Sequence, residues 1–199
     1  MTLGLLLLLA ALGLTGYNIW ESKRAEIASD KAVVAIEEEI ENLTKEEIHY
    51  ELGETPDYMK YPQKEMPTME IDGERYIGYI EIPDIHRKLP VMAGEWSYAK
   101  LRKAPCHYEG SVYQDNMVIA GHNYRSHFSL IKQLDMGSEI RFTDAEGNVF
   151  VYEAAWVDII KPQDIEGMTD AADWDLTLFT CTYGGRDRYT LRCIRQNAI

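Results

Sequence analysis

Cys181 ends a run of strand formers, Leu176-Thr177-Leu178-Phe179-Thr180, and a glycine turn at Gly184-Gly185 follows at once. An alternating basic strand then begins at Arg188 and continues through Tyr189-Thr190-Leu191-Arg192-Cys193-Ile194-Arg195. A lone cysteine is most often a small buried hydrophobe. A strand end beside two glycines puts the sulfur at a rim instead, and a nearby cation lowers a thiol pKa and raises the thiolate fraction. The thiolate is the form that attacks a carbonyl. Arg188 and Arg192 share one face of the last strand, because alternate side chains point the same way. Either could aim a guanidinium at an oxyanion formed near Cys181; the plainer alternative is that both pair with surface acids. Cys193 falls on the opposite face, which suits a core position.

His122 is the second reactive group. It follows Val118-Ile119-Ala120-Gly121, where an apolar run reaches the surface. A loop histidine usually bonds to backbone. With Cys181 as partner, its imidazole would protonate a leaving amine and later deprotonate an incoming nucleophile. His127, beside Phe128 and Leu130, reads as a packing residue, and His86 and His107 have no evident partner. A zinc site from His122, His127 and a cysteine is poorly spaced. No acid cluster has the spacing of a calcium loop. Neither a metal nor a cofactor is expected.

The elements that must position these groups are short strands. The candidates are 76–82, 89–92, 117–120, 139–143, 149–154, 156–160, 175–180 and 189–194. Asp144-Ala145-Glu146-Gly147-Asn148 between two of them is a hairpin signal. About eight strands with few helices predict a mainly β fold, a closed or nearly closed barrel.

Ahead of the barrel, residues Thr2 to Trp20 are almost wholly apolar and end in Tyr17-Asn18-Ile19-Trp20, an interfacial composition. A stretch of about 18 or more apolar residues is long enough to span a bilayer and is longer than a signal-peptide core. The reading is an uncleaved single-pass anchor, 1–20. A loosely helical, acid-rich stalk and a proline-containing linker follow, 21–70, and a catalytic domain occupies 71–199. Lys23 and Arg24 follow the helix, so flanking charge alone would place the domain in the cytoplasm. A net charge of −13, from 20 basic and 33 acidic residues, argues against nucleic acid as a partner. Three cysteines with these spacings make neither a disulfide framework nor a zinc pattern.

Thr177-Leu178-Phe179-Thr180-Cys181 resembles the Thr-Leu-x-Thr-Cys signature of the sortases. Ile119-Ala120-Gly121-His122-Asn123 resembles their histidine motif, and His107-Tyr108-Glu109-Gly110-Ser111 resembles the stretch before it. The likeness covers roughly Tyr76 to Arg195, in the order His, Cys, Arg. It implies a β-barrel cysteine transpeptidase, anchored in the membrane with its catalytic domain outside a Gram-positive cell. Such an enzyme cleaves a C-terminal Leu-Pro-x-Thr-Gly-like sorting motif of secreted proteins through a thioacyl intermediate. It passes the acyl group to an amine of peptidoglycan or a pilin. Carried over, Cys181 is the nucleophile, His122 the general acid and base, and Arg188 the oxyanion arginine, with Arg192 as the fallback. Thr180, Asn123, Ile160 and Ile165 are the expected substrate contacts, and Ile159 and Met168 are further candidates for an apolar groove wall in the stretch 158–174. Two other readings stand beside this one: a cysteine peptidase that only hydrolyses surface or wall peptides, and a tethered barrel that binds peptides without chemistry.

Overall fold

Alternating apolar residues force the strands to bury one face, and the sheet does so by closing on itself. The computed structural model describes residues 2–47 and 56–196; the stalk and linker expected over 21–70 thus lie in part, at 48–55, outside the described residues. The strands are β1 (Met69–Ile71), β2 (Glu74–Ile82), β3 (Arg87–Met92), β4 (Cys106–Glu109), β5 (Met117–Ala120), β6 (Glu139–Asp144), β7 (Val149–Ile160), β8 (Leu176–Cys181) and β9 (Arg188–Arg195). Four α-helices accompany them: α1 (Thr2–Glu47), α2 (Asp57–Lys60), α3 (Tyr98–Leu101) and α4 (Ile165–Thr169).

The strand order is β1-β2-β3-β4-β5-β8-β9-β7-β6, and β2 also pairs with β6. That pairing closes β2 through β9 into a ring, with β1 outside as a short hairpin arm on β2. The expected barrel is therefore present. β2 can serve both neighbours because of Gly78, whose φ is +139°; a Cβ there would lie 1.9 Å from the Thr143 carbonyl oxygen. β7 is one strand with a bulge between Ala154 and Trp156, where two strands were expected, and β4 was not expected at all.

Part of the barrel wall, around β3, β4, β5 and β8, is buried on both faces. Ile80, Leu89, Val91, Ile119, Phe142, Phe150, Leu178 and Leu191 fill the interior. A second cluster covers the outer wall: Tyr76, Met92, Cys106, Val118, Ala120 and Phe179 pack there with Ala32 and Ile36 of α1. The predicted hairpin is held by Asp144, whose carboxylate accepts from Tyr113 Oη at 2.7 Å and from the backbone N–H groups of Glu146 and Asn148 at 2.9 Å.

The 46 residues of α1 have two functions along one axis. At about 1.5 Å per residue the helix is some 70 Å long, more than twice the ~30 Å hydrocarbon thickness. Residues 2–20 are exposed, and only the last of them, from Thr15, border the barrel. They form a helix long and apolar enough to cross a membrane. From Ala25 onward one stripe is buried: Ala25, Ser29, Ala32, Val33 and Ile36. The stretch read as a stalk thus lies with one face on the barrel. Ser29 Oγ donates to the Lys103 carbonyl at 3.1 Å, and Glu37 pairs with Lys88 at 2.7 Å. The stripe uses small residues, so helix and sheet approach closely.

Ile36 is the one large side chain in that stripe with no exposure. Ile36→Ala is expected to weaken the docking by about 2–4 kcal/mol. Hydrogen exchange should show lost protection over Ala25–Ile36 while the barrel strands keep theirs; unchanged protection in α1 would contradict this packing.

Candidate active site

β8 is the central strand of the site, with β5 parallel on one side and β9 antiparallel on the other. Leu176 and Leu178 point into the barrel, so Thr177, Phe179 and Cys181 point outward. Cys181 faces Arg188 directly in the register, as Phe179 faces Thr190 and Thr177 faces Arg192. Opposed residues place their side chains on the same face. The thiol and the guanidinium therefore meet on the outer wall, just below the rim.

The turn between them fixes that meeting. Thr182 N–H donates to the Asp187 carbonyl at 3.0 Å, and Gly185 N–H to the Thr182 carbonyl at 2.9 Å. Gly184 and Gly185 have φ of +81° and +72°, a conformation that side chains resist. Arg188 Nη1 donates to the carbonyls of Gly185 and Asp187, both at 3.3 Å.

Cys181 and Arg188 open into a cleft with a volume of about 290 Å³. Phe179, Ala120 and Tyr108 form its floor; Trp96, Tyr98 and Leu101 wall one side, and Pro162, Ile165 and Met168 the other. The aromatic side is self-supporting: Tyr108 meets Phe179 edge-on at 5.1 Å, and Trp96 lies 5.9 Å from Tyr108. Thr180 also borders the cleft, and its buried Oγ1 has no hydrogen-bond partner.

Of the three thiols, only Cys181 is partly exposed. Cys106 is buried in the outer-wall cluster, and desolvation pushes its pKa up to about 12. Cys193 is buried in the barrel, as expected, and burial raises its pKa as well. Neither can supply thiolate at neutral pH.

His122 stands two residues past the end of β5. Ala120 is the register partner of Phe179, and Gly121 N–H still donates to the Phe179 carbonyl at 2.9 Å. β5 ends at Ala120, so beyond Gly121 the strand register no longer fixes where the His122 ring lies. Gly121 is needed there, since a Cβ would fall 2.2 Å from the Phe128 ring. The imidazole itself is half-buried and stacks on Tyr124, with ring centroids 3.8 Å apart. Its ring is not among the groups lining the cleft, which Gly121 borders instead. Burial lowers the His122 pKa, a nearby Glu21 carboxylate opposes that, and Arg102 adds to it. His122 Nδ1 is buried without a hydrogen-bond partner among the described residues.

The structure thus gathers Cys181, Arg188, Thr180 and Ile165 around one cleft, while the His122 ring, next in the chain to Gly121, stacks on Tyr124 outside the lining. Asn123 and Ile160 lie elsewhere. The chain turns after Gly121, so Asn123 lines a separate groove against α1, with Asn18, Ser22 and Arg125. Ile160 faces Arg188 across β7 and β9 and packs beneath the cleft with the outer-wall cluster. Of the further wall candidates, Met168 lines the cleft, whereas Ile159 is exposed and is not among the lining residues. The aromatic wall of Trp96, Tyr98 and Tyr108 was not foreseen, although Trp96 and Tyr98, large aromatics in a polar loop, were a visible signal.

Arg192, the fallback for the oxyanion position, does not line the cleft. It is 2% exposed and clamps the opposite cleft wall, donating to Thr177 Oγ1 at 3.0 Å, to the Met168 carbonyl at 3.2 Å and to the Gly167 carbonyl, with Asp158 at 3.4 Å. α4 is thereby tied to β8 and β9. Arg192→Met is expected to cost roughly 3 kcal/mol, since it leaves these carbonyls unpaired in a buried setting. Arg192→Lys should recover only part, because an ammonium cannot span the same partners. Chemical denaturation reads both; equal stability of Lys and Arg would contradict the clamp.

His127 is wholly buried, as its packing role required. Neither ring nitrogen reaches a partner at hydrogen-bonding geometry, though the carbonyls of Lys103 and Leu101 lie near enough to favour the proton in part. Burial, aided by His122 and Arg87, pushes its pKa from 6.5 down to about 4. The unfolded chain therefore takes up the proton first as pH falls. The associated stability is complete above about pH 6.5 and is lost toward pH 4, at most about 3 kcal/mol. His127→Phe is expected to flatten that part of a plot of unfolding midpoint against pH; an unchanged slope would assign the loss to other groups.

A model of the sortase domain matches residues 80–196. The chain is 30% identical over 128 residues to sortase A of Staphylococcus aureus, covering 60% of this chain and 61% of that protein. Among solved structures, sortase C1 of Streptococcus suis is 27% identical with a TM-score of 0.53, covering 62% of this chain and 74% of its own. Sortase C of Clostridium perfringens, solved with a C-terminal cell wall sorting motif, shares the fold at 24% identity and a TM-score of 0.55, covering 85% of this chain and 91% of its own. The matched segment contains the closed barrel from Ile80 onward and, within it, Cys181, Arg188 and His122. This chain belongs to the sortase family.

Proposed function

We propose that this protein is a membrane-anchored cysteine transpeptidase acting on a Leu-Pro-x-Thr-Gly-like sorting motif of secreted proteins. The observation that carries the reading is the cross-strand pairing of Cys181 with Arg188 at an open peptide-sized cleft, while both other thiols are buried. The family and a C. perfringens relative solved with a sorting motif support the substrate class.

The apolar walls receive the side chains of an extended peptide. The Cys181 thiolate attacks the scissile carbonyl carbon, and the C–S bond forms as the carbonyl electron pair becomes an oxyanion. Arg188 and backbone N–H groups stabilise that charge. Collapse breaks the C–N bond, and the His122 imidazolium gives its proton to the leaving amine. An amine from peptidoglycan or a pilin then attacks the thioester, His122 takes a proton from it, and the thiolate departs. Water is the poorer acceptor. The helix over 2–20 anchors the domain at the cell membrane, with the barrel on the outer side where secreted substrates emerge.

The test uses the full chain in detergent with a fluorogenic sorting peptide and a primary amine. Cys181→Ala is expected to abolish cleavage with the fold intact. Arg188→Ala should lower kcat about 10²- to 10³-fold, and His122→Ala about 10²- to 10⁴-fold. Undiminished cleavage by Cys181→Ala would remove the nucleophile assignment. A product that is hydrolysed even at high amine would make the protein a peptidase instead.

A further inference from the structure

The membrane-proximal end of α1 reaches the surroundings of the general acid and base. Glu21 directly follows Trp20, the last residue of the apolar segment. Its carboxylate lies near the Tyr124 hydroxyl and 3.8 Å from Arg102 Nε. The Tyr124 ring in turn lies 3.8 Å from that of His122, only 18° from parallel. The next residue of the helix locks this register: Ser126 Oγ, almost fully buried, donates to the Ser22 carbonyl at 3.2 Å and lies 3.2 Å from Ser22 Oγ.

We propose that Glu21 and Tyr124 form a positioning arm, through which the docked helix sets the orientation and the electrostatic setting of the His122 imidazole. The arm rests on the reading of His122 as acid and base. Its consequence is that the anchor is part of the active site's support. A change in how the helix leaves the membrane would reach the imidazole through two side chains.

The charged and titratable groups facing His122 come from three directions: Glu21 from α1, Arg102 from the segment after α3, and Tyr124 and His127 from its own loop. Burial and the nearby Glu21 carboxylate raise the Tyr124 pKa to about 12, so its hydroxyl keeps its proton and faces the carboxylate as a neutral group. His127, at about 4, is neutral where His122 titrates. That leaves Glu21 and Arg102 as opposed charges on one imidazole. The carboxylate favours the imidazolium that must protonate a leaving amine, and the guanidinium disfavours it.

The test is an NMR titration of the histidines in the full chain, held in detergent micelles, beside the pH profile of peptide cleavage. Glu21→Gln is expected to lower the His122 midpoint by roughly half a pH unit, and Arg102→Gln to raise it by a similar amount. Tyr124→Phe keeps the ring and loses only the hydroxyl, and should shift the midpoint in the Glu21→Gln direction. A purely structural role would not give shifts of opposite sign in folded variants. Midpoints that stay in place, or move together, would overturn the arm. If they move as expected but the cleavage profile does not follow, the arm stands and the acid–base role of His122 fails.

Discussion

The register of β8 between its two neighbours is the constraint on which the site depends. Parallel pairing to β5 sets where the chain carrying His122 emerges, and antiparallel pairing to β9 sets Arg188 opposite Cys181. A slip of one residue would turn Cys181 into the barrel and Leu178 out of it. The register is secured from both sides. Leu176, Leu178 and Leu191 hold the inner face, and the buried Arg192 ties Thr177 to the far wall of the cleft from the outer face. Barrel closure adds to this, because with β2 bonded to β6 no strand of the ring is left free to slide at an edge.

On that frame, the chemistry comes from unequal burial. Three thiols lie close to the sheet, and two are desolvated so fully that they stay protonated. The third sits where β8 runs out, beside a cation. The two later arginines divide the labour in the same way. Arg188 is partly exposed at the cleft, whereas Arg192 has every guanidinium nitrogen engaged within the wall. The small-residue stripe of α1 allows the helix to lie close on the outer wall, so a segment that reads as a tether becomes a structural neighbour of the histidine loop.

The pairing of Cys181 with Arg188 at one cleft was legible because both sit in short motifs at strand ends, where type and position together restrict the chemistry. Strand placement was legible where alternation was strong, as in β2, β6 and β9, or where the run was wholly apolar, as in β5. β4 was missed because Cys106-His107-Tyr108-Glu109 carries too little apolar alternation to declare itself. β7 was read as two strands because the bulge after Ala154 breaks the alternation while the pairing continues. The two errors offset each other within the closed ring of eight strands, and the outlying β1 was not expected either. The docking of α1 was hidden because Ala25, Ser29 and Ala32 scarcely raise an apolar periodicity. Asn123 and Ile160 were misplaced for a related reason: adjacency in a motif does not say which way a loop turns, nor which side of a wall a residue supports.

The most direct test of the account is intact and peptide-level mass spectrometry of the full chain after reaction with a thiol-reactive sorting-peptide analogue. A single adduct on Cys181, formed faster than with a scrambled peptide and slowed in Arg188→Ala, is the expected result. Labelling of Cys106 or Cys193 in its place, or no preference for the sorting sequence, would contradict it.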